Sequence, residues 1–148
     1  MIKLRALLAG EIEPGMYRFD SRIAPKQVGD LIERAGWRCA YVDGRPIADK
    51  AQFLDAFASA LHFPGYFGRN WDAFEECLHD LSWQHFDGAK GVVIILDRPD
   101  GFARSQPDEW AVARDLLAGV VATRQNNATP MVVLLRGSKR AATGLEAL

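Results

Sequence analysis

Two continuous apolar runs constrain the fold of this chain more than any other feature of its sequence. Residues 91–97 read GVVIILD and residues 130–135 read PMVVLL, so each run has the length of one strand. A strand that is apolar on both faces is typical of a sheet that is covered on both sides. Between the runs, residues 107–124 have the apolar periodicity of a helix, with Pro107 near its start. A connection of this length favours parallel pairing of the two strands.

Shorter patterns predict one more strand and three more helices. Residues 39–42 are predicted to form a strand that ends at an Asp-Gly turn. The predicted helices cover residues 25–35, 49–61 and 71–81, and Asn70 is placed to cap the last of them. Residues 1–23 contain no pattern that identifies an element. We therefore expect an α/β domain, a small three-stranded parallel sheet packed with helices.

Length and composition favour one globular domain and exclude several classes of protein. With 148 residues, of which 49% are hydrophobic and 25% charged, the chain has the composition of a folded domain. It lacks both the basic excess of a dedicated nucleic-acid binder and an apolar run long enough to span a bilayer. The first apolar stretch is too short for a signal peptide, so we expect a cytoplasmic protein. Residues 137–148 are expected to form a flexible tail.

The formal net charge of -1 conceals an uneven distribution. The charge is +2 over residues 1–50, -5 over residues 51–100 and +2 over residues 101–148. Residues 70–87 contain no Lys or Arg, and their acidic residues are Asp72, Glu75, Glu76, Asp80 and Asp87. The negative charge is therefore concentrated around one predicted helix, residues 71–81.

This helix has one acidic and one apolar face. On a wheel of 100° per residue, Asp72, Glu75, Glu76 and His79 lie together, opposite Phe74, Cys77, Leu78 and Leu81. Two interpretations stay open at this point, a solvated helix face and an interaction surface. Helical periodicity alone favours the solvated face. The lack of an interspersed cation weighs towards an interaction surface, as does the preceding loop, which brings Tyr66, Phe67 and Trp71 beside the carboxylates. Phe67 is expected to pack this loop onto the core.

Residues 66–78, which read YFGRNWDAFEECL, resemble the signature of the barstar family of intracellular ribonuclease inhibitors. The resemblance implies a barstar-like core over residues 37–136, preceded by an N-terminal extension of about 36 residues within a single domain, residues 1–148. It further implies a binding protein with an antitoxin or immunity role, which is not an enzyme and needs no cofactor or metal.

In this family the acidic helix and the loop before it block the cationic active site of a small ribonuclease. By resemblance, Asp72 and Glu76 stand at the two acidic positions, and Tyr66 matches the aromatic residue at the loop edge. The complete set implied for partner binding is Tyr66, Gly68, Asn70, Trp71, Asp72, Glu75 and Glu76. The implied partner is a ribonuclease or another protein with a basic active site. No direct contact with nucleic acid or membrane is implied, and we expect the free protein to be a monomer.

Departures from the family pattern keep a second function open. Glu76 is one methylene longer than the Asp of the best-known members, and Glu75 replaces an aromatic residue. Residues 121–124 lack the carboxylate of a family contact, and the near-neutral total charge weakens long-range steering. The alternative is a barstar-fold regulatory or scaffolding module for a partner that is not a nuclease, with residues 1–36 as a second surface. An enzyme ranks third, because carboxylates on one helix face share one environment.

Overall fold

The two apolar runs form adjacent central strands of a parallel sheet. The structure, a computed structural model, describes residues 1–65, 67–80, 88–126 and 128–148. The strands over these residues are β1 (Met16–Phe19), β2 (Arg38–Asp43), β3 (Val92–Asp97) and β4 (Met131–Arg136). The helices are α1 (Ile2–Leu8), α2 (Pro25–Arg34), α3 (Lys50–Leu61), α4 (Trp71–His79), α5 (Asp100–Ser105) and α6 (Pro107–Arg124). The strand order is β1-β4-β3-β2, and every pair of neighbours is parallel.

The α/β class and the parallel pairing are therefore confirmed, but the prediction of three strands is wrong. Within the described ranges the sheet has four strands, because β1 pairs with β4 from Met16 opposite Val133 to Phe19 opposite Arg136. Of the four β1 residues only Phe19 is buried, so this strand carries no apolar run that could be recognised in the sequence.

Helices cover both faces of the sheet, as the apolar runs predict. On one face, α3, α4, α5 and α6 enclose a core that includes the rings of Phe53, Phe57, Phe74 and Phe102. On the other face, α1 and α2 pack against Val93, Ile95, Val132 and Leu134. All residues of β3 and β4 are consequently buried. Residues 1–36 thus contribute a strand and two helices to the same folded unit as the core.

A buried ion pair connects the carboxyl ends of the central strands β3 and β4. A further hydrogen bond connects this pair to the N-terminal region. Nη1 of Arg136 lies 2.9 Å from both carboxylate oxygens of Asp97, and its Nη2 donates to the carbonyl of Ile23 at 3.0 Å. The Tyr41 hydroxyl donates to the same Asp97 carboxylate at 2.6 Å. Asp97 and Arg136 are 3% and 7% exposed, so each charge depends on the other for compensation.

The C-terminal residues are packed against the domain, and the prediction of a flexible tail over residues 137–148 is corrected by these contacts. Ala141 and Ala142 are fully buried in the main core. The last residues run beside β1, where Leu148 N–H donates to the carbonyl of Arg18 and Arg18 N–H donates to the carbonyl of Glu146. Small buried alanines and backbone contacts leave no apolar pattern in the sequence, and the polar composition therefore misled the prediction.

Asp100 holds the first part of this C-terminal segment. Its carboxylate accepts hydrogen bonds from the Ser138 hydroxyl and from the backbone N–H groups of Lys139, Arg140 and Ala141, at 2.6–3.1 Å. Burial by itself would raise the pKa of Asp100, but these four hydrogen bonds outweigh it and lower the pKa to about 2.

Asp100→Asn is therefore expected to destabilise the protein at pH 5, and the deficit is expected to shrink at pH 3. In the unfolded chain an Asp has a pKa of about 3.9 and takes up its proton before the folded-state carboxylate does. The stabilisation is thus complete above about pH 4 and is lost as the pH falls towards about 2. Urea unfolding at the two pH values measures the change. Asp115→Asn controls for the loss of one exposed carboxylate, and a deficit of equal size at both pH values would contradict the assignment.

Candidate functional site

Helix α4 begins as the sequence predicts. The side-chain oxygen of Asn70 accepts the backbone N–H of Ala73 at 2.8 Å, which confirms Asn70 as the N-cap. Asp72 lies in the first turn, where a carboxylate is favoured by the helix dipole. The helix ends at His79, two residues before the predicted end. Residues 81–87, which include Leu81 and Asp87, lie outside the described residues.

The two faces of α4 differ in burial. Phe74 and Leu78 are completely buried and Cys77 is 8% exposed, so this side of the helix packs against the main core. Asp72, Glu75 and Glu76 are exposed, and in the described part of the chain no salt bridge joins them to a cation. Three carboxylates are therefore presented to solvent without a salt bridge to any described cation.

Both ends of α4 are fastened to α6. At the first turn, the indole N–H of Trp71 donates to the carboxylate of Glu109 at 2.8 Å. At the last turn, the guanidinium of Arg124 donates to the carbonyl of His79 at 2.7 Å and also to the carbonyl of Thr129. Arg124 is 6% exposed, and burial lowers the pKa of its guanidinium. A cation at the carboxyl end of a helix also stabilises the helix dipole.

Glu109 and Arg124 support the two ends of α4, and neither contact was predicted from the sequence. Residues 121–124 attracted notice only for a missing carboxylate, and no sequence pattern pointed to Glu109. Both residues act over long sequence separations, on Trp71 and His79 respectively. An Arg at the last position of a helix is ordinarily explained by that helix alone, so no local signal marked its role.

Trp71 is engaged within the chain. Its ring lies 5.7 Å from the rings of both Phe53 and Phe74, and the ammonium of Lys50 lies 5.5 Å from its centroid. Together with the bond to Glu109, these contacts make the indole a support for the first turn of α4. Its contact with a partner stays a prediction that rests on the family motif.

The loop before α4 brings its glycine to the surface beside the cap. Gly68 is exposed, and a Cβ atom built there would lie 3.3 Å from the Asn70 amide nitrogen. Arg69 adopts a positive φ of 54°, and its guanidinium pairs with Asp55 at 2.9 Å. Phe67 packs against Phe63 with ring centroids 5.0 Å apart, as expected for a residue that anchors the loop. Tyr66, the predicted aromatic contact, lies outside the described residues.

The resulting surface joins Gly68, Asn70, Asp72, Glu75 and Glu76 on the loop and the exposed side of α4, and we call it the acidic surface. Burial raises the pKa of the Cys77 thiol on the opposite side, and the neighbouring charges of Glu76 and Asp80 raise it further. A protonated, packed thiol is not a nucleophile. The described residues contain no cluster of three or more His, Cys, Asp or Glu that could hold a metal ion.

No helix among the described residues is long and apolar enough to cross a membrane.

Comparison with known proteins gives one family and a fold. Residues 37–136 match the model of the family described as Barstar (barnase inhibitor). No curated protein matches the sequence. A similar solved structure is that of the ORC2 protein of Aeropyrum pernix in ADPNP–ADP complexes, with a TM-score of 0.57 and 17% identity. That match covers 95% of this chain and 39% of the other, and at this identity it shows the fold alone.

Proposed function

The chain belongs to the Barstar family, and from this premise we propose that it is a protein inhibitor of a small ribonuclease. In this proposal the acidic surface covers the nuclease active site and the carboxylates occupy the place of RNA phosphates. The inhibitor itself performs no chemical step.

The proposal rests on three exposed carboxylates that form no salt bridge within the described residues, on a helix that is fixed at both ends. A ribonuclease must gather cationic donors to stabilise the charge that develops on a phosphate. Carboxylates pair with such donors, and with arginine they form two parallel hydrogen bonds. Asp72 and Glu76 are one helical turn apart, so both can face one cationic cleft.

The fixed geometry of α4 supports an inhibitory rather than an adaptable role. The bonds to Glu109 and Arg124 and the buried Phe74 and Leu78 hold the helix before any partner arrives. Binding then requires little ordering of the inhibitor, and a surface that is already ordered binds more tightly for the same contacts.

Charge complementarity should also be visible in the association rate. The whole chain has a formal charge of only -1, so attraction at long range is weak and depends on the local charge of α4. We expect added salt to slow association with a basic partner while the dissociation rate changes less.

The proposal is tested by capture and inhibition with the full-length protein. Immobilised chain is incubated with lysate of the source cells, and the retained protein is eluted and assayed for RNA cleavage. The expected result is a ribonuclease whose activity falls to background when one equivalent of free chain is added. A retained protein that cleaves no RNA, or whose cleavage is unaffected by excess chain, would contradict the proposal and favour the scaffolding alternative.

A further inference from the structure

A second charged feature lies at the carboxyl ends of the strands. A crevice of about 510 Å³ opens there between the segments that follow β1, β3 and β4. It is lined by Asp20, Ser21 and Arg22, by Arg98 and Asp100, and by Arg136, Gly137, Ser138 and Lys139. None of these residues belongs to the acidic surface.

The position of the crevice is the one at which parallel α/β sheets bind ligands. After β1 the chain passes to α2, which packs on the face formed by Val93 and Ile95. After β4 the chain passes to Ala141 and Ala142, which are buried in the core on the opposite face. The two neighbouring strands β1 and β4 thus send their chains to opposite faces, and such a switch leaves an opening at their carboxyl ends.

The lining of the crevice contains more cationic side chains without a salt bridge than carboxylates without a partner. Arg22, Arg98 and Lys139 are exposed, and no salt bridge occupies them in the described ranges. Of the two carboxylates in the lining, Asp20 is paired with Arg18 at 2.9 Å, and Asp100 is occupied by its four hydrogen bonds from residues 138–141. The crevice therefore has a surplus of positive charge.

Arg136 adds a buried donor to this lining. It is 7% exposed and paired with Asp97, but its Nε has no hydrogen-bond partner among the described residues. A buried donor that is left unsatisfied is costly, and in native proteins such groups are ordinarily satisfied by a partner, a water molecule or a ligand.

The backbone at the crevice is also held in an uncommon conformation. Arg98 has a positive φ of 53° and its N–H donates to the carbonyl of Arg136 at 2.8 Å. Gly137 has a φ of 61°, and a Cβ atom built there would lie 3.0 Å from Cγ of Arg98. A non-glycine residue in the left-handed region is strained, and such strain is concentrated at ligand-binding positions.

We propose that this crevice binds a small phosphate-bearing ligand, inorganic phosphate or the phosphate of a small aliphatic ester. The guanidinium groups provide the paired donors that phosphate oxygens accept. The volume is within the range of small-molecule sites. Among the described residues of the lining there is no aromatic ring on which a base could stack, and this favours a simple phosphate ester over a nucleotide.

A second basic groove provides a control for non-specific attraction of anions. Arg5, Arg34 and Lys90 line a groove of about 350 Å³ near the carboxyl ends of α1 and α2. Arg5 and Arg34 lie in the last turns of those helices, where cations stabilise the helix dipole without any ligand. Their replacement removes the same charge as replacement of Arg98 and Lys139, which makes them a matched control.

The test is a calorimetric titration of the full-length protein with inorganic phosphate and, separately, with glycerol 3-phosphate, at constant ionic strength. Wild type is expected to bind saturably, Arg98→Gln/Lys139→Gln to bind at least about tenfold more weakly, and Arg5→Gln/Arg34→Gln to bind as wild type does. Tighter binding of the ester would identify an ester as the ligand, and equal binding would identify phosphate itself. Absence of saturable binding, or an equal loss in both double variants, would overturn the proposal.

An NMR titration of the wild-type protein tests the site without the risk that a variant misfolds. Addition of phosphate to wild type is expected to shift the backbone amide NMR signals of Gly137 and Ser138, and to leave those of α4 in place. Shifts confined to residues outside the crevice would likewise overturn the assignment.

Discussion

Replacing Asp72 and Glu76 together by alanine is expected to weaken partner binding by a factor of about a thousand or more. Truncating one member of a buried, hydrogen-bonded charge pair at an interface costs about 2–5 kcal/mol, partly because the partner's charge is left unpaired. Two such losses amount to at least about 4 kcal/mol, which corresponds to about a thousandfold in affinity. Surface plasmon resonance against the captured partner measures the change.

The same double variant is expected to keep its fold. Both side chains are exposed, and neither has a salt bridge to a described residue. Loss of Asp72 from the first turn costs about 0.3–1 kcal/mol, and removal of the like-charged pair with Glu76 returns about 0.2–0.5 kcal/mol. Unfolding midpoints should therefore nearly coincide with those of wild type, which separates a binding defect from a folding defect.

Glu11→Ala/Glu13→Ala is the matched control for this result. It removes the same two negative charges from exposed positions in the N-terminal region. If the control weakens binding and the α4 variant does not, the partner contacts residues 1–36 and the acidic surface is the wrong site. If both are neutral, electrostatic binding through either surface is contradicted.

A chain shortened to residues 37–148 is expected to lose its cooperative unfolding transition. The deletion removes β1 and the buried side chains Leu4, Leu7, Leu8, Phe19, Val28 and Ile32. It also exposes the sheet face formed by Val93, Ile95, Val132 and Leu134. Burial of each large apolar side chain is worth about 1.5–3 kcal/mol, so the exposed face alone approaches the total stability of an ordinary domain.

Chemical denaturation and size-exclusion chromatography measure this outcome, and we expect an unfolded or aggregated product.

Two point variants test the same reasoning within the full-length chain. Leu7→Ala, at a fully buried position, should lower the free energy of unfolding by about 2–5 kcal/mol, whereas Ile2→Ala, at a position 86% exposed, should change it little. A shortened chain that unfolds cooperatively at the wild-type midpoint would show that residues 1–36 are dispensable. Loss of partner capture by the shortened chain is therefore expected from unfolding alone and would not by itself identify a second binding surface.

The sequence predicted the elements that carry a strong local pattern. The prediction for residues 107–124 coincides with α6, β3 starts one residue later than its apolar run, and β4 is shifted by one residue at both ends. The elements α1, β1 and α5 were not predicted, since they are short and their buried residues pack against other elements of the fold. β1 pairs with a strand more than a hundred residues later in the chain, and no local window contains that information.

The candidate site was predictable in its chemistry but not in its support. Helical periodicity and the Asn70 cap were enough to place Asp72, Glu75 and Glu76 on one exposed side. The bonds from Trp71 to Glu109 and from Arg124 to His79 are tertiary contacts and left no trace in the local pattern. The sequence likewise could not show whether the ring of Trp71 contacts a partner or packs within the protein itself.

Because α4 is attached to α6 by other residues, its exposed side chains can evolve separately from the contacts that hold the helix. Helix α4 is held by its buried side, its cap and two terminal bonds, and none of these involves the side chains of Asp72, Glu75 or Glu76. If the proposed function holds, substitutions at those three positions are expected to alter recognition with little penalty in folding. A lineage could thus follow a diverging partner by exchanging exposed residues one at a time, while the scaffold that presents them stays under separate constraint.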